Sequence, residues 1–398
     1  MDEIFAGIKS FLESGKAEGL KTPCYVIDEK KLEANGKILA SVISHTGCRI
    51  LLAQKAFSNY DFYPLLENNV SGTEASGLFE ARLGKEEMPG KEVHVFCGAY
   101  RDDEFDELLN YADHIVFNSI NQLKKFGGLA KQNGKSVGLR INPECSTQEG
   151  HEIYDPCAKG SRLGVTRSVW DKEMTDEVFR LLDGLHFHTL CEQDSDALET
   201  TLKAVEEKFG DVITRMKWLN MGGGHHITKA DYDVARLERC INYAKDKWGV
   251  QVYLEPGEAV ALNAGYLISR VLDIVENNGV KIAILDSSAA CHMPDVIEMP
   301  YTPPLLDASR DGSKPYGYRL GGPTCLSGDV IGDYTFDSEL NIGDVLVFGD
   351  MAIYTTCKNN TFNGMPLPDI YRLKADGNAE KLTDFGYGDF KHRLGRAK

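Results

Sequence analysis

The chain has 398 residues, of which 42% are hydrophobic and 26% are charged, and its formal net charge is −16. This length favours two domains, the acidic charge argues against a nucleic-acid-binding protein, and no apolar run is long enough to span a membrane. The N-terminal segment has acidic residues and no apolar signal core, so we expect a cytoplasmic protein.

Short apolar runs alternate with amphipathic segments through the first two thirds of the chain. Examples of the amphipathic segments are residues 103–112 and 197–210. Strands that alternate with helices form parallel sheets, and eight such units are typical of a TIM barrel. We therefore predict a (β/α)8 TIM-like barrel over residues 30–262. Its eight strands are expected in the runs 48–53, 68–75, 92–98, 114–119, 137–143, 184–190, 217–223 and 250–257.

The sequence changes in character after residue 262. Strand-like segments separated by Gly, Pro and Asp turns replace the helical periodicity. This pattern predicts a C-terminal all-β domain, a barrel or sandwich, over residues 263–398. Residues 22–29 are also strand-like, so we expect residues 1–29 to contribute to the same domain.

Chemistry in a TIM barrel takes place at the carboxyl ends of the strands. The residues that stand at these ends are the candidates for a functional site. They are Lys55, Ser76, Arg140, His188, Gly222, Gly223, Gly224 and Glu255.

Lys55 follows the apolar run that ends at residue 53. A lysine at a strand end can extend its ammonium group to solvent, which is the structural alternative. A desolvated lysine loses its proton more readily and can form a Schiff base with a carbonyl compound. Both interpretations remain open from the residue alone.

Three consecutive glycines, Gly222 to Gly224, follow the seventh run. They could form a flexible turn, or they could let backbone N–H groups approach an anion at the start of a helix. The spacing does not match a dinucleotide-binding or P-loop motif. A phosphate monoester of a cofactor would suit such a turn.

Glu255 and His188 offer a carboxylate and an imidazole ring. The proline after Glu255 stiffens the turn, and a fixed carboxylate beside a pyridine nitrogen would keep that nitrogen protonated. His188 could stack on an aromatic cofactor. It could also join His186, which would point the same way from a strand, and His225 in a zinc site. Together, the lysine, glycines, carboxylate and ring describe a site for pyridoxal phosphate.

The chain also resembles the fold type III, alanine-racemase-like group of pyridoxal-phosphate decarboxylases. The motifs that carry the resemblance occur in family order over nearly the whole chain: LLAQKAF, TEASGLFEA, GLHFH, NMGGG, LEPGEA, GGPTCLSGD and GDMAIYT. The resemblance implies that Lys55 holds the cofactor, His188 stacks on its ring and Glu255 pairs with its nitrogen. It assigns the phosphate to the three glycines and Tyr354.

The resemblance further implies a head-to-tail homodimer with active sites at the interface. The residues that would reach across this interface are Cys325 and Asp329. Cys325 would protonate the carbanion that remains after CO2 leaves.

Two positions depart from relatives that act on ornithine or diaminopimelate. Glu258 replaces an arginine that helps to hold phosphate, and Leu326 replaces an acidic residue. Segments 142–164, 285–301 and 361–370 resemble the branch that acts on carboxynorspermidine and carboxyspermidine in polyamine biosynthesis. We therefore expect a polyamine carboxylate as substrate, with Glu258 and Asp295 as candidates for binding its amines. A decarboxylase for diaminopimelate, ornithine or arginine is the alternative.

Three other functions fit these residues less well. A racemase on this fold typically avoids a carboxylate at the pyridine nitrogen, so Glu255 argues against it. A non-catalytic pyridoxal-phosphate carrier would lack the all-β domain. A zinc hydrolase built on His186, His188 and His225 would leave Lys55 and the glycines unexplained.

Overall fold

A computed structural model describes residues 2–148 and 155–396. The chain forms two compact units, one made of Glu33–Val260 and the other of Met1–Leu32 together with Ala261–Lys398. We call them the barrel unit and the sheet unit. Within the two described ranges, no helix is long and apolar enough to cross a membrane.

The strands and helices are numbered in chain order. The strands are β1 (Cys24–Asp28), β2 (Arg49–Ala53), β3 (Gly72–Ala75), β4 (Glu92–Phe96), β5 (His114–Phe117), β6 (Ser136–Arg140), β7 (Gly184–His186), β8 (Trp218–Asn220), β9 (Gln251–Leu254), β10 (Gly265–Asn277), β11 (Val280–Leu285), β12 (Ala308–Ser309), β13 (Tyr316–Gly321), β14 (Val330–Phe336), β15 (Val345–Gly349), β16 (Asp369–Leu373) and β17 (Ala379–Thr383). The helices are α1 (Asp2–Glu13), α2 (Glu29–Thr46), α3 (Tyr63–Leu66), α4 (Leu78–Glu87), α5 (Asp102–Leu108), α6 (Ile120–Gln132), α7 (Arg167–Glu173), α8 (Asp176–Phe179), α9 (Ser195–Ile213), α10 (Val234–Trp248), α11 (Glu258–Ala261), α12 (Ala289–His292), α13 (Asp295–Glu298) and α14 (Tyr387–Leu394).

Strands β2 to β9 form a closed parallel barrel, which confirms the predicted (β/α)8 fold. The last strand closes on the first, with Arg49 opposite Tyr253. Seven of the eight predicted runs contain one of these strands, and the run 137–143 overlaps the remaining strand, which begins one residue earlier at Ser136. The strands are buried over most of their length because a parallel barrel covers both faces of its sheet.

The barrel helices start and stop at recognisable signals. Asp233 caps α10 by accepting a hydrogen bond from the Arg236 N–H, and Gly249 ends it in the left-handed conformation at φ 68°. The predicted amphipathic segment 197–210 lies inside α9, whose apolar stripe, including Leu202 and Phe209, is buried. These helices hold the strand ends in fixed positions.

Aromatic and imidazole rings fill the interior of the barrel. The rings of His94 and His114 stack with their centroids 3.9 Å apart, and Tyr253 lies 4.7 Å from His94. Burial lowers the pKa of His94 to about 4 and that of His114 to about 2. Both rings are therefore neutral at pH 7.

The sheet unit contains the predicted C-terminal sheet domain. Its strands run in the order β12-β14-β13-β11-β10-β1-β16-β17, and β15 also pairs with β10. The sequence analysis did not anticipate helices here. Helix α1 buries Phe5, Ile8 and Phe11 in a cluster that includes Val26 and Tyr266, so an amphipathic helix covers the sheet.

Candidate active site

The carboxyl ends of the barrel strands place the predicted residues at one end of the barrel. Lys55 lies two residues beyond β2 and is half-buried. Ser76 directly follows β3 and is exposed, and its backbone N–H donates to the Glu80 carboxylate at 2.5 Å. Because this N–H is already bonded, the hydroxyl is the group of Ser76 that could bind a ligand.

Arg140 is the last residue of β6, and its side chain is buried. Its Nη2 donates to the main-chain oxygen of His188 at 3.0 Å, and its guanidinium lies 4.6 Å from the centre of the Phe96 ring. Burial lowers the pKa of Arg140 to about 10, so the group stays charged at pH 7. A buried cation at a strand end is suited to an anionic ligand.

Glu255 directly follows β9 and is only 4% exposed. Its Oε2 lies 3.0 Å from His186 Nε2, and its Oε1 accepts from Asn220 Nδ2 at 2.6 Å. Burial alone would raise the pKa of Glu255. The His186 imidazole and the charge of Lys55 outweigh this effect and hold the pKa below its usual range. Glu255 is therefore an ionised carboxylate with a fixed orientation.

His186 and Asn220 are functional candidates that the sequence analysis missed in this setting. They end the neighbouring strands β7 and β8, and both are buried. Burial lowers the pKa of His186 while Glu255 raises it, so the neutral ring donates from Nε2 and leaves Nδ1 without a partner among the described residues. The available signal was a polar residue at the end of a buried strand.

Glu74 is a second buried carboxyl group that the sequence analysis did not select. It lies in β3, and its Oε2 has no hydrogen-bond partner among the described residues. Burial, and after it the charge of Glu255, raise the pKa of Glu74. Two carboxyl groups with pKa values pushed in opposite directions are a mark of functional sites, because one stays neutral while the other stays ionised.

Two of the three N–H groups of the glycine turn are bonded to neighbouring side chains. The Gly222 N–H donates to Asn220 Oδ1 at 2.9 Å, and the Gly223 N–H donates to His188 Nδ1 at 3.1 Å. A Cβ on Gly223 would lie 2.4 Å from the main-chain oxygen of Glu255, so the close approach requires glycine. Among the described residues, the Gly224 N–H has no such acceptor and is the donor that is free for an anion.

His188 lies two residues beyond the end of β7, so it stands outside the strand in which we expected it beside His186. One further hydrogen bond follows the end of β7, since the Phe187 N–H donates to the Asn220 oxygen at 2.9 Å. The Gly223 N–H holds the His188 ring through Nδ1. Burial, and after it the charges of Lys55 and Arg140, lower the pKa of His188 well below its usual value.

The three histidines of the zinc alternative do not belong to the groups of described side chains that could hold a metal ion. The groups of His and acidic side chains that could share an ion are two others, and neither contains His186, His188 or His225. One is Glu92 with His94 and His114. The rings of His94 and His114 are stacked and nearly parallel, at 14°, so the lone pairs of their nitrogens do not converge on one point.

Glu258 belongs to the second group. Its Oε1 lies 3.2 Å from His226 Nε2, and both side chains are mostly buried. Glu192 brings a second carboxylate to within 4.8 Å of these atoms and has a left-handed backbone at φ 53°. Since these residues follow β9, β8 and β7, the cluster lies at the same end of the barrel as Lys55.

Asp295, the other predicted amine ligand, lies at the start of α13 in the sheet unit. Its Oδ1 contacts the ammonium of Lys358, which also contacts the Glu298 carboxylate. Burial would lower the pKa of Lys358, but Asp295 and Glu298 raise it. A substrate amine at Asp295 would therefore compete with Lys358.

Cys325 lies on an exposed loop of the sheet unit. Its backbone N–H donates to Asn363 Oδ1 at 3.1 Å. In the same loop Asp329 is buried, and its carboxylate accepts hydrogen bonds from the hydroxyls of Ser288 at 2.9 Å and Thr324 at 2.7 Å. Asp329 therefore anchors the loop that presents the thiol.

Tyr354 follows β15 in a strained segment. Its φ is 49° and that of Asp350 is 56°, although neither residue is glycine. A bulky side chain in the left-handed region is rare and persists only where the surrounding structure imposes it, which often happens at functional sites.

The chain is similar to known proteins over most of its length. The family model described as "Pyridoxal-dependent decarboxylase, C-terminal sheet domain" matches residues 24–352. A carboxynorspermidine/carboxyspermidine decarboxylase of Campylobacter jejuni is 44% identical over 94% of this chain and 99% of its own. A carboxyaminopropylagmatine decarboxylase of Synechocystis is 39% identical over 97% of this chain and 98% of its own.

A solved structure is similar over the same length. It is the carboxynorspermidine decarboxylase of Campylobacter jejuni in complex with norspermidine, with a TM-score of 0.85 and 43% identity. The match covers 94% of this chain and 100% of that one.

Proposed function

Because the chain belongs to the family of pyridoxal-dependent decarboxylases, we propose that it removes CO2 from carboxynorspermidine and carboxyspermidine to form norspermidine and spermidine. The ionised carboxylate of Glu255, held at both oxygens by His186 and Asn220, is the observation that carries this proposal. It would keep a pyridine nitrogen protonated, and a protonated ring is the stronger electron acceptor.

The barrel unit offers a fitting set of groups for pyridoxal phosphate. Arg140 is a buried cation at the end of β6, at the same end of the barrel as Lys55, and it would offset the charge of a phosphate. The Gly224 N–H is available at the glycine turn. Two buried atoms, Glu74 Oε2 and His186 Nδ1, have no hydrogen-bond partner among the described residues. A bound ligand could supply these hydrogen bonds.

Each chain residue has a separate task in this proposal. Lys55 would hold the aldehyde carbon of the cofactor and yield it to the α-amine of the substrate. His188, fixed by the Gly223 N–H, would cover one face of the ring and exclude water from it. The bound cofactor supplies the electron sink for the pair released when the Cα–carboxylate bond breaks. Tyr354 and Ser76 would add hydroxyl groups to the phosphate.

Cys325 is the proposed acid that returns a proton to Cα after CO2 leaves. The thiol is exposed, and its loop is fixed by Asn363 and Asp329, so it can be presented to another chain in a defined position. We propose a homodimer in which this loop completes the site of the second copy, as the family resemblance implies. Asp329 is assigned first to holding the loop, because its carboxylate already accepts several hydrogen bonds.

Two acidic clusters support a substrate with several ammonium groups. In the barrel unit, Glu192 and Glu258 share one imidazole, that of His226. In the sheet unit, Asp295 and Glu298 share one ammonium, that of Lys358. Both clusters place two carboxylates close together, which attracts cations and repels a second carboxylate on the substrate.

The test is CO2 release by the purified protein with added pyridoxal phosphate. The substrates are carboxynorspermidine, carboxyspermidine, carboxyaminopropylagmatine, diaminopimelate and ornithine. Release chiefly from the first two is the expected result. Release chiefly from carboxyaminopropylagmatine, for which the Synechocystis relative is named, would make that compound the assigned substrate. Release chiefly from diaminopimelate or ornithine would contradict the polyamine assignment and leave the cofactor assignment intact.

A further inference from the structure

A closed cycle of three hydrogen bonds joins Asn220, Gly222 and Glu255. The Gly222 N–H donates to Asn220 Oδ1 at 2.9 Å, and Asn220 Nδ2 donates to Glu255 Oε1 at 2.6 Å. The Glu255 N–H completes the cycle by donating to the Gly222 oxygen at 2.7 Å. The cycle links the end of β8, the glycine turn and the carboxylate after β9.

The partners of Asn220 fix the orientation of its side-chain amide. A backbone N–H can only donate and an ionised carboxylate can only accept, so Oδ1 must face Gly222 and Nδ2 must face Glu255. Aspartate has no donor for Glu255 and would place a second negative charge against it. Alanine lacks both groups. Asparagine is the side chain of this length that supplies one acceptor and one donor.

The cycle lies where neither end can easily adjust. Asn220 has no exposed surface, and Gly222 is left-handed at φ 69°. A Cβ on Gly222 would lie 2.4 Å from the main-chain oxygen of Phe187. His186 holds the other oxygen of Glu255, and no hydrogen bond joins it to the turn in the part of the chain that the structure describes. Asn220 is thus the side chain that touches both the carboxylate and the turn.

We propose that Asn220 is a positioning residue that couples the two ends of the cofactor site. It sets the Glu255 carboxylate, which would face the ring nitrogen, relative to the glycine turn, which would face the phosphate. A ligand seated at one end therefore orders the other. This inference rests on the proposed function, because pyridoxal phosphate is the ligand that would span both ends.

The experiment compares the affinity of the purified protein for pyridoxal phosphate and for pyridoxal, which lacks the phosphate. The variants are Asn220→Asp and Asn220→Ala. We expect each to weaken pyridoxal phosphate about tenfold or more, because a hydrogen bond to a charged group is lost. We expect a smaller loss for pyridoxal, which occupies one end only. The pH at which the absorbance of the bound cofactor changes should also move, because Glu255 loses a donor.

Asn118 provides a matched control. It directly follows β5, accepts from the Gly164 N–H at 2.8 Å and donates to the Arg162 oxygen at 2.8 Å, so it forms the same kind of bridge. Neither partner is Glu255 or the glycine turn. Asn118→Ala should therefore lower stability and leave the ratio of the two affinities and the absorbance profile unchanged. Equal losses for both ligands in the Asn220 variants would contradict the coupling.

Hydrogen exchange on the wild-type protein tests the same coupling if the variants do not fold. Pyridoxal, bound at the Glu255 end, should slow exchange of the Gly222 N–H, and protection by pyridoxal phosphate alone would overturn the inference. Failure of the proposed function is a different result. In that case the wild type would bind neither compound and would release no CO2, whereas a failed coupling leaves wild-type binding and activity intact.

Discussion

The candidate residues of the barrel unit are held in place differently from those of the sheet unit. Glu255, Asn220 and His186 are buried and hold one another by hydrogen bonds at strand ends. In the sheet unit, Cys325 is exposed on a loop, and Tyr354 lies in a strained backbone segment. The first group is complete within its own unit, whereas the second presents its thiol outward.

The difference follows from the chemistry that each region is proposed to perform. An electron sink needs a fixed charge in a dry environment, where it costs no reorganisation during the reaction. A proton donor must meet a carbon atom that is formed only after CO2 has left, so it can be supplied by a separate surface. The predictions below perturb first the fixed charge, then the loop, and finally the barrel interior.

The largest effect is expected at Glu255. Glu255→Gln keeps the size of the side chain and removes its charge, so the ring nitrogen would lose its counter-charge. We expect kcat for CO2 release to fall by about 10²–10³-fold, the usual cost of removing one electrostatic contact to the transition state. Pyridoxal phosphate should still bind, as measured by absorbance. Full activity in this variant would contradict the electron-sink assignment.

The next effect is expected at Cys325. Cys325→Ser replaces the thiol by a much weaker acid, and we expect kcat to fall by about 10²-fold, in the range for loss of a positioned proton donor. Cys357→Ser is the matched control, because Cys357 is the other exposed cysteine of the sheet unit. A comparable loss in both variants would indicate a general effect on this surface rather than proton transfer.

A smaller effect is expected at Asp329, which anchors the cysteine loop. Asp329→Asn places an amide N–H₂ opposite hydroxyls that already donate, so hydrogen bonds to a charged carboxylate are lost. We expect the free energy of unfolding to fall by about 1–3 kcal/mol. Thermal unfolding and kcat measure this effect. Asp337→Asn serves as the control, since Asp337 is exposed and pairs with Lys314 through one contact at the surface, and such pairs contribute little. Unchanged unfolding and kcat in Asp329→Asn would refute the anchoring assignment.

The smallest effect concerns the barrel interior and pH. Burial lowers the pKa of His94 to about 4, so the unfolded chain binds the extra proton first as the pH falls. The stability that neutral His94 contributes is complete above about pH 6.5 and declines toward pH 4, by about 3 kcal/mol in total.

Urea unfolding at pH 7 and at pH 5 measures this slope. His94→Gln should unfold with a weaker dependence on pH than the wild type. His392→Gln, at an exposed position of α14, should keep the wild-type dependence. An identical slope in wild type and His94→Gln would be inconsistent with a neutral buried ring.

The barrel was accessible from the sequence because its signals are local. Each predicted run overlapped a strand, and the family resemblance carried by the motifs was confirmed by the family model and by the relatives. Strand lengths were less accessible. The run 184–190 yields the strand Gly184–His186 alone, so His188 lies outside it.

The missed features depend on contacts between distant parts of the chain. Asn220 stood in a quoted motif, but its function depends on Glu255, 35 residues away. The pairing of Asp295 with Lys358 spans 63 residues, and no local pattern indicates it. A polar residue at the end of a buried strand is the one signal that would have selected Asn220 and Glu74, because such groups are costly to bury without a function.

Mixing two inactive variants tests the whole account most directly. Lys55→Ala removes the lysine of the barrel unit, and Cys325→Ser removes the thiol of the sheet unit. If two copies complete each other's sites, random mixing yields half mixed dimers with one intact site each, so about a quarter of wild-type CO2 release from carboxynorspermidine should return. Activity no higher than that of the separate variants would contradict a site shared between two copies.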